Sequence, residues 1–152
     1  MLPPPDMGTA SISGLKFHHV GVGVLDMEAA IDVYEALGHR LFRLVDDPGI
    51  NIKVAFLASP MAGPWIELLA PLNPDGPLQS LIKRKMLPSP YHTCYGVDDL
   101  DAAGERLREQ GFMQLGPACE AVAFGGARVA FHYHGAVGLI ELVERPPEWP
   151  RE

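Results

Sequence analysis

The sequence predicts an α+β domain built from two paired βαβββ modules. Three observations carry this reading. The chain repeats itself at an offset of 73 residues, each copy opens as a strand followed by a capped and terminated helix, and further extended segments follow each helix.

Residues 17–38 read FHHVGVGVLDMEAAIDVYEALG and residues 90–111 read PYHTCYGVDDLDAAGERLREQG. Laid over each other, His19 falls on His92 (92 − 19 = 73), Val24 on Val97, Asp26 on Asp99, Met27 on Leu100, Ala30 on Ala103 and Gly38 on Gly111. Val20, Val22 and Val24 alternate in the first copy, as do Thr93, Tyr95 and Val97 in the second, so each opening strand presents one face to a core. Asp26 and Asp99 stand where a carboxylate can accept from the free amides of a helix start. Met27, Ala30, Ile31 and Tyr34 recur at helical spacing, and so do Leu100, Ala103 and Leu107. Gly38 and Gly111 suit the left-handed position that closes a helix. Extended segments then follow at 40–45, 52–58 and 64–70, and again at 113–116, 127–133 and 138–144.

Module 1 therefore covers 16–71 and module 2 covers 90–145 of a single domain over 15–145. The linker between them, 72–89, is punctuated by Pro and Gly and carries a short helix around 78–86. Residues 1–14 and 146–152 read as an N-terminal and a C-terminal tail, both rich in Pro. The chain of 152 residues suffices to bury one core. Its formal charge of −7, from 12 basic and 19 acidic residues, disfavours a nucleic-acid partner. No apolar run approaches the roughly 18 residues a bilayer span needs. The first residues lack the basic start and apolar stretch of a signal peptide, so a cytoplasmic protein is expected. Cys94 and Cys119 are too few for a disulfide scaffold.

Alternation places His19, Gly21 and Gly23 on one face of the first strand, and His92, Cys94 and Gly96 on one face of its counterpart. A histidine followed by small residues should leave open volume for a small-molecule substrate. The last strand of each module adds a carboxylate, Glu67 in WIELL and Glu141 in LIELV, at an offset of 141 − 67 = 74. A lone strand Glu is most often a solvent-facing residue, and a lone strand His a satisfied one. Solvent-facing residues have no reason to match in type and register across two modules. The shared offset thus selects His19, Glu67, His92 and Glu141 as ligands of one divalent metal ion, of the Zn, Ni, Co, Fe or Mn kind that suits imidazole and carboxylate together. His18 alternates to the opposite face. His132 and His134 share a face of a later strand, as acid–base groups or as water-facing residues. Lys83, Arg84 and Lys85 read as a solvated helix face or as contacts to the phosphates of a carrier. Cys94 points into the cup without a neighbouring base to activate it.

Across about residues 15–145 the chain resembles the vicinal oxygen chelate superfamily of glyoxalases, bleomycin-resistance proteins and dioxygenases, and within it methylmalonyl-CoA epimerase-like members. The matching stretches are HVGVGV from His19, VAFL from Val54, IELLAPL from Ile66, His92 ahead of VDDLDA, VAF from Val129 and GLIELVE from Gly138. The resemblance implies that the two modules form one curved mixed sheet, a glyoxalase-like cup, and it implies the same four ligands and a homodimer. It also implies an epimerase or isomerase that abstracts a proton beside the carbonyl of a CoA- or carrier-linked thioester or a 2-oxo substrate. The same fold serves a glyoxalase I-like lyase on a glutathione hemithioacetal and non-enzymatic small-molecule binding or resistance proteins, which are the alternatives. A second catalytic carboxylate is expected shortly before Val54, where Gly49 stands, with Asp46 and Asp47 nearest. The catalytic candidates are therefore Glu141, Asp47 and His132.

Overall fold

A computed structural model describes residues 12–73, 76 and 78–150. Module 1 consists of β1 (Lys16–Gly23), α1 (Met27–Ala36), β2 (Arg40–Asp47), β3 (Ile52–Ala58) and β4 (Trp65–Pro71). A short α2 (Gln79–Lys83) lies in the linker. Module 2 repeats the order with β5 (Ser89–Val97), α3 (Leu100–Glu109), β6 (Met113–Ala121), β7 (Ala127–His134) and β8 (Gly138–Glu144). All eight strands form one sheet in the order β2-β3-β4-β1-β5-β8-β7-β6. The strand order reads the same from either end once the modules are exchanged, so a pseudo-two-fold axis passes between β1 and β5. These two central strands run antiparallel, while β1 with β4 and β5 with β8 run parallel. This is the mixed, curled sheet that the resemblance implies, built from the two modules that the repeat predicts.

The helix signals act as read. Asp26 accepts from the Ala29 amide at 3.1 Å and Asp99 from the Ala102 amide at 3.0 Å. Gly38 and Gly111 follow the two helices at φ 97° and 94°, a region where a Cβ would be strained. Met27 and Ile31 of α1, and Leu100, Ala103 and Leu107 of α3, turn inward onto the convex face of the sheet. There α1 covers Val22, Leu57 and Leu68, and α3 covers Val97, Ala130 and Leu142. Leu68 and Leu142 each follow a candidate ligand carboxylate and are fully buried, a contribution of about 2 kcal/mol apiece. The site is thus backed by a fully buried leucine on each of β4 and β8.

Three boundaries differ from the sequence reading. The β6 strand continues past Gly116 and Pro117 to Ala121, across a register shift between Leu115 and Cys119. It is an edge strand, where a residue without an amide hydrogen is tolerated. Helix α2 stops at Lys83, with Lys85 in the left-handed region at φ 56°. The N-terminal tail lies, up to residue 11, outside the described residues. The C-terminal segment is no loose tail: Pro146 sits against Gly96, and Trp149 packs among the aromatic side chains of the concave face. Among the described residues, no helix is long and apolar enough to cross a membrane.

Candidate metal centre

The site is set by two adjacent rows of the sheet. In one row Glu67, Gly21 and His92 lie side by side on β4, β1 and β5; in the next, His19, Cys94 and Glu141 lie side by side on β1, β5 and β8. Each row holds one imidazole and one carboxylate flanking a small residue. The small residue lets its neighbours lean inward over it. At Gly21 this is literal, since a Cβ there would meet His92 Cε1 at 2.0 Å. The glycines therefore make room for side chains of the protein itself. The expected open volume is filled, by the His92 ring over Gly21 and by Leu87 over Gly23.

All four candidate ligands converge. His19 Nε2 lies 3.2 Å from Glu67 Oε2, from Glu141 Oε1 and from His92 Nε2. His92 Nε2 is 3.8 Å from a carboxylate oxygen of each glutamate. The four donor atoms lie within 4.8 Å of one another, and all four residues are buried. Burial drives the His19 pKa down from 6.5 to about 3. Burial likewise takes His92 down from 6.5 to about 4, with the Glu141 carboxylate opposing. Both rings are therefore neutral near pH 7, the form that ligates. Burial raises Glu67 well above the ordinary carboxylate range, and the Glu141 charge adds to it. Burial also raises Glu141, against the opposing pull of His92 and Cys94.

These residues fit a divalent cation. Two carboxylates and two imidazole nitrogens crowd one point, where Glu141 Oε1 is buried without a hydrogen bond. A cation at the centre satisfies the lone pairs and cancels the carboxylate repulsion. A pH dependence follows with a definite sign. A carboxylate whose folded pKa is raised contributes stability to the metal-free chain that is present in full below its unfolded pKa and is lost as pH rises through the folded value. Metal capture must expel these protons, whereas neutral His19 and His92 release none. The rise in melting temperature on adding metal is thus expected to be larger at pH 7.5 than at pH 5.5. An equal rise at both values, by differential scanning fluorimetry, would count against this electrostatic account.

His18 departs from the expected alternation. The β1–β5 ladder skips it between Phe17 and His19, a β-bulge that turns His18 onto the same side as His19. Its Nδ1 lies 2.9 Å from His19 Nδ1, and its ring meets Phe56, Phe124 and Trp149. The ladder skips Tyr91 in the same way, between His92 and Pro90. Tyr91 occupies the repeat position of His18 (91 − 18 = 73) and lies edge-on to the His92 ring at 4.7 Å. Each ligand histidine is thus preceded by a bulged ring that buttresses it. The only sequence signal for this was the offset itself, which pairs His18 with Tyr91.

The other catalytic candidates are not at the cluster. Asp47 pairs with Ile52 at the far end of β2, four strand positions beyond Arg43, the partner of Phe56. Its carboxylate accepts from the Gly49 amide at 3.1 Å and shapes the hairpin turn. His132 is buried, which corrects the reading that it faces water, and it lies under α3 near Gly104 and Gln114 on the convex face. Its neighbour Phe131 takes the concave side, pairing with Glu141 and lying edge-on to His92 at 5.6 Å. Cys94 is fully buried beside Glu141, and burial pushes its thiol pKa well up.

Comparison with known proteins agrees with this fold. Residues 18–131 match the family described as the glyoxalase/bleomycin resistance protein/dioxygenase superfamily. The chain is 32% identical over 117 residues to the ethylmalonyl-CoA/methylmalonyl-CoA epimerase of Cereibacter sphaeroides, covering 76% of this chain and 86% of that one. It is 26% identical over 144 residues to human mitochondrial methylmalonyl-CoA epimerase, covering 93% and 81%. The crystal structure of methylmalonyl-CoA epimerase from Mycobacterium tuberculosis superposes with a TM-score of 0.77 at 32% identity, over 92% of this chain and 95% of that one. With the doubled module, the curled sheet and the sequence match in agreement, the chain belongs to the glyoxalase/bleomycin resistance protein/dioxygenase superfamily.

Proposed function

We propose that this chain is a metal-dependent epimerase that removes and returns a proton beside the carbonyl of an acyl-CoA thioester. The observation that carries the reading is the convergence of His19, Glu67, His92 and Glu141, one imidazole and one carboxylate from each module, within 4.8 Å in a buried pocket. The relatives named as acyl-CoA epimerases support the substrate class. A divalent ion held by these four residues supplies electrostatic stabilisation of the negative charge that develops on the thioester oxygen.

The chain's own residues do the rest. The Glu141 carboxylate, buried at the meeting point of the two modules, is the group assigned to accept the α-proton. In the metal-free protein burial raises this carboxylate above the ordinary range. Phe56 and Phe124 against His19, and Phe131 against His92, keep the surroundings apolar, so charges inside interact strongly. Once the C–H bond is broken the α-carbon is planar; water delivering a proton to the face away from Glu141 gives the epimer, and Glu141 then releases the proton it took to solvent, whereas return of that proton by Glu141 regenerates the starting isomer. Asp47 and His132 lie away from this point and are not assigned to the step.

The test is isotope exchange. Methylmalonyl-CoA incubated with the metal-loaded protein in D2O is expected to gain deuterium at its α-carbon, read by mass spectrometry. Chelation should abolish the exchange and added divalent metal restore it. Absence of exchange across a panel of 2-substituted acyl-CoAs, with turnover of methylglyoxal and glutathione instead, would replace the epimerase reading by a lyase.

A further inference from the structure

The four ligands are shut off from solvent, His19 completely and the others to 5% exposure or less. Two layers of rings make the cover. Phe124 stacks on the His19 ring at 5.8 Å and 23°, and Trp149 stacks on the far side of Phe124 at 5.6 Å and 6°. Phe56 touches both, at 5.2 Å and 4.8 Å. Neither outer ring is carried by a strand. Phe124 ends a 3-10 turn (Val122–Phe124), followed by Gly125 and Gly126, both at positive φ. Trp149 rides on the segment beyond β8, which leaves the sheet at Arg145 with φ 41°. Segments of this kind, outside the sheet ladder, open at the lowest cost. Alongside lies a cavity of about 550 Å³, lined by His18, Trp65, Gly96, Arg145, Pro146 and Trp149.

One side chain holds both covers. Arg43 of β2 donates from Nη1 to the Ala123 carbonyl at 3.1 Å, and its guanidinium lies 5.9 Å from the centre of a Trp149 ring. It thereby ties the turn bearing Phe124 and the segment bearing Trp149 to one strand. We propose that Phe124 and Trp149 form a two-leaf lid over the metal cup, latched by Arg43, and that the lid opens to admit the acyl chain and thioester of the substrate. What lies beneath the lid rests on the proposed function; the lid itself is tested without metal or substrate.

Cys94 supplies the probe. It is fully buried on the cup floor beside Glu141, while Cys119 is exposed. In a Cys119→Ser background, alkylation of Cys94 by iodoacetamide at fixed pH reports how often the cup opens. Arg43→Met and Trp149→Ala are each expected to raise this rate about tenfold, equivalent to about 1.4 kcal/mol. The rate should stay flat between 0 and about 1 M urea, as local opening does and global unfolding does not. Rates within twofold of the parent, or a rise with the full urea dependence of unfolding, would overturn the lid. Faster alkylation in protein that shows no α-proton exchange would leave the lid standing and remove the epimerase reading. Unchanged alkylation with intact exchange would remove the lid alone.

Discussion

Replacing Glu141 by Gln is expected to slow α-proton exchange by about 10²–10⁴-fold, the usual contribution of a positioned base, while the protein keeps its fold and its metal. Gln retains a carbonyl oxygen at the ligand position, beside the His19 Nε2 that now lies 3.2 Å away. It cannot accept the proton. Metal content by elemental analysis and exchange in D2O together separate the two roles of the residue. Exchange at the parent rate with metal in place would take Glu141 out of the chemistry and leave it a ligand only. Loss of metal together with activity would show that the carboxylate charge is needed to hold the ion, a consequence of the pairing of two carboxylates against two neutral rings.

The second large effect comes from one methyl group. Gly21→Ala places a Cβ 2.0 Å from His92 Cε1, 2.3 Å from Nδ1 and 2.4 Å from Nε2, so the whole ring must leave its position. Metal affinity is expected to fall by about 100-fold, at the upper end of what even indirect disturbance of a ligand costs. Gly23→Ala is the matched control. Its Cβ would meet Leu87 Cδ2 at 2.6 Å, the end of a flexible side chain that can shift. Titration of both variants with Co²⁺, followed by d–d absorbance, compares them directly. Parent-like affinity in Gly21→Ala would show that His92 is not held where the rows place it, and the site would have to be redrawn.

The architecture was legible because the chain states it twice. The strand limits at Ile52–Ala58 and Gly138–Glu144, the caps at Asp26 and Asp99, and the convergence of four residues all follow from one repeat and its alternation. Alternation also explains the misreadings, since it holds only while a ladder is regular. Bulges at His18 and Tyr91 break it where the ligands sit, so His18 joins the site it was expected to avoid. His132 went the other way. Alternation gives Phe131 and His132 opposite faces, but a strand pattern with Phe131, Tyr133 and two histidines does not say which face is concave. Glycine spacing showed where side-chain volume is missing and not what fills it. Leu87 from the linker and Trp149 from beyond the last strand arrive from distant parts of the chain, and no local periodicity announces them.

The seam between β1 and β5 has a further consequence for how the molecule assembles. It zips together residues 66 to 80 positions apart, and such distant pairings form late and slowly. Because each half contributes only one candidate nitrogen ligand and one candidate oxygen ligand, a cation would be gripped in full only after the seam has closed. A rivet set at that stage would leave the rate of zipping unchanged. It would act by holding the finished sheet together, so added metal is expected to lengthen the lifetime of the native state without hastening its formation.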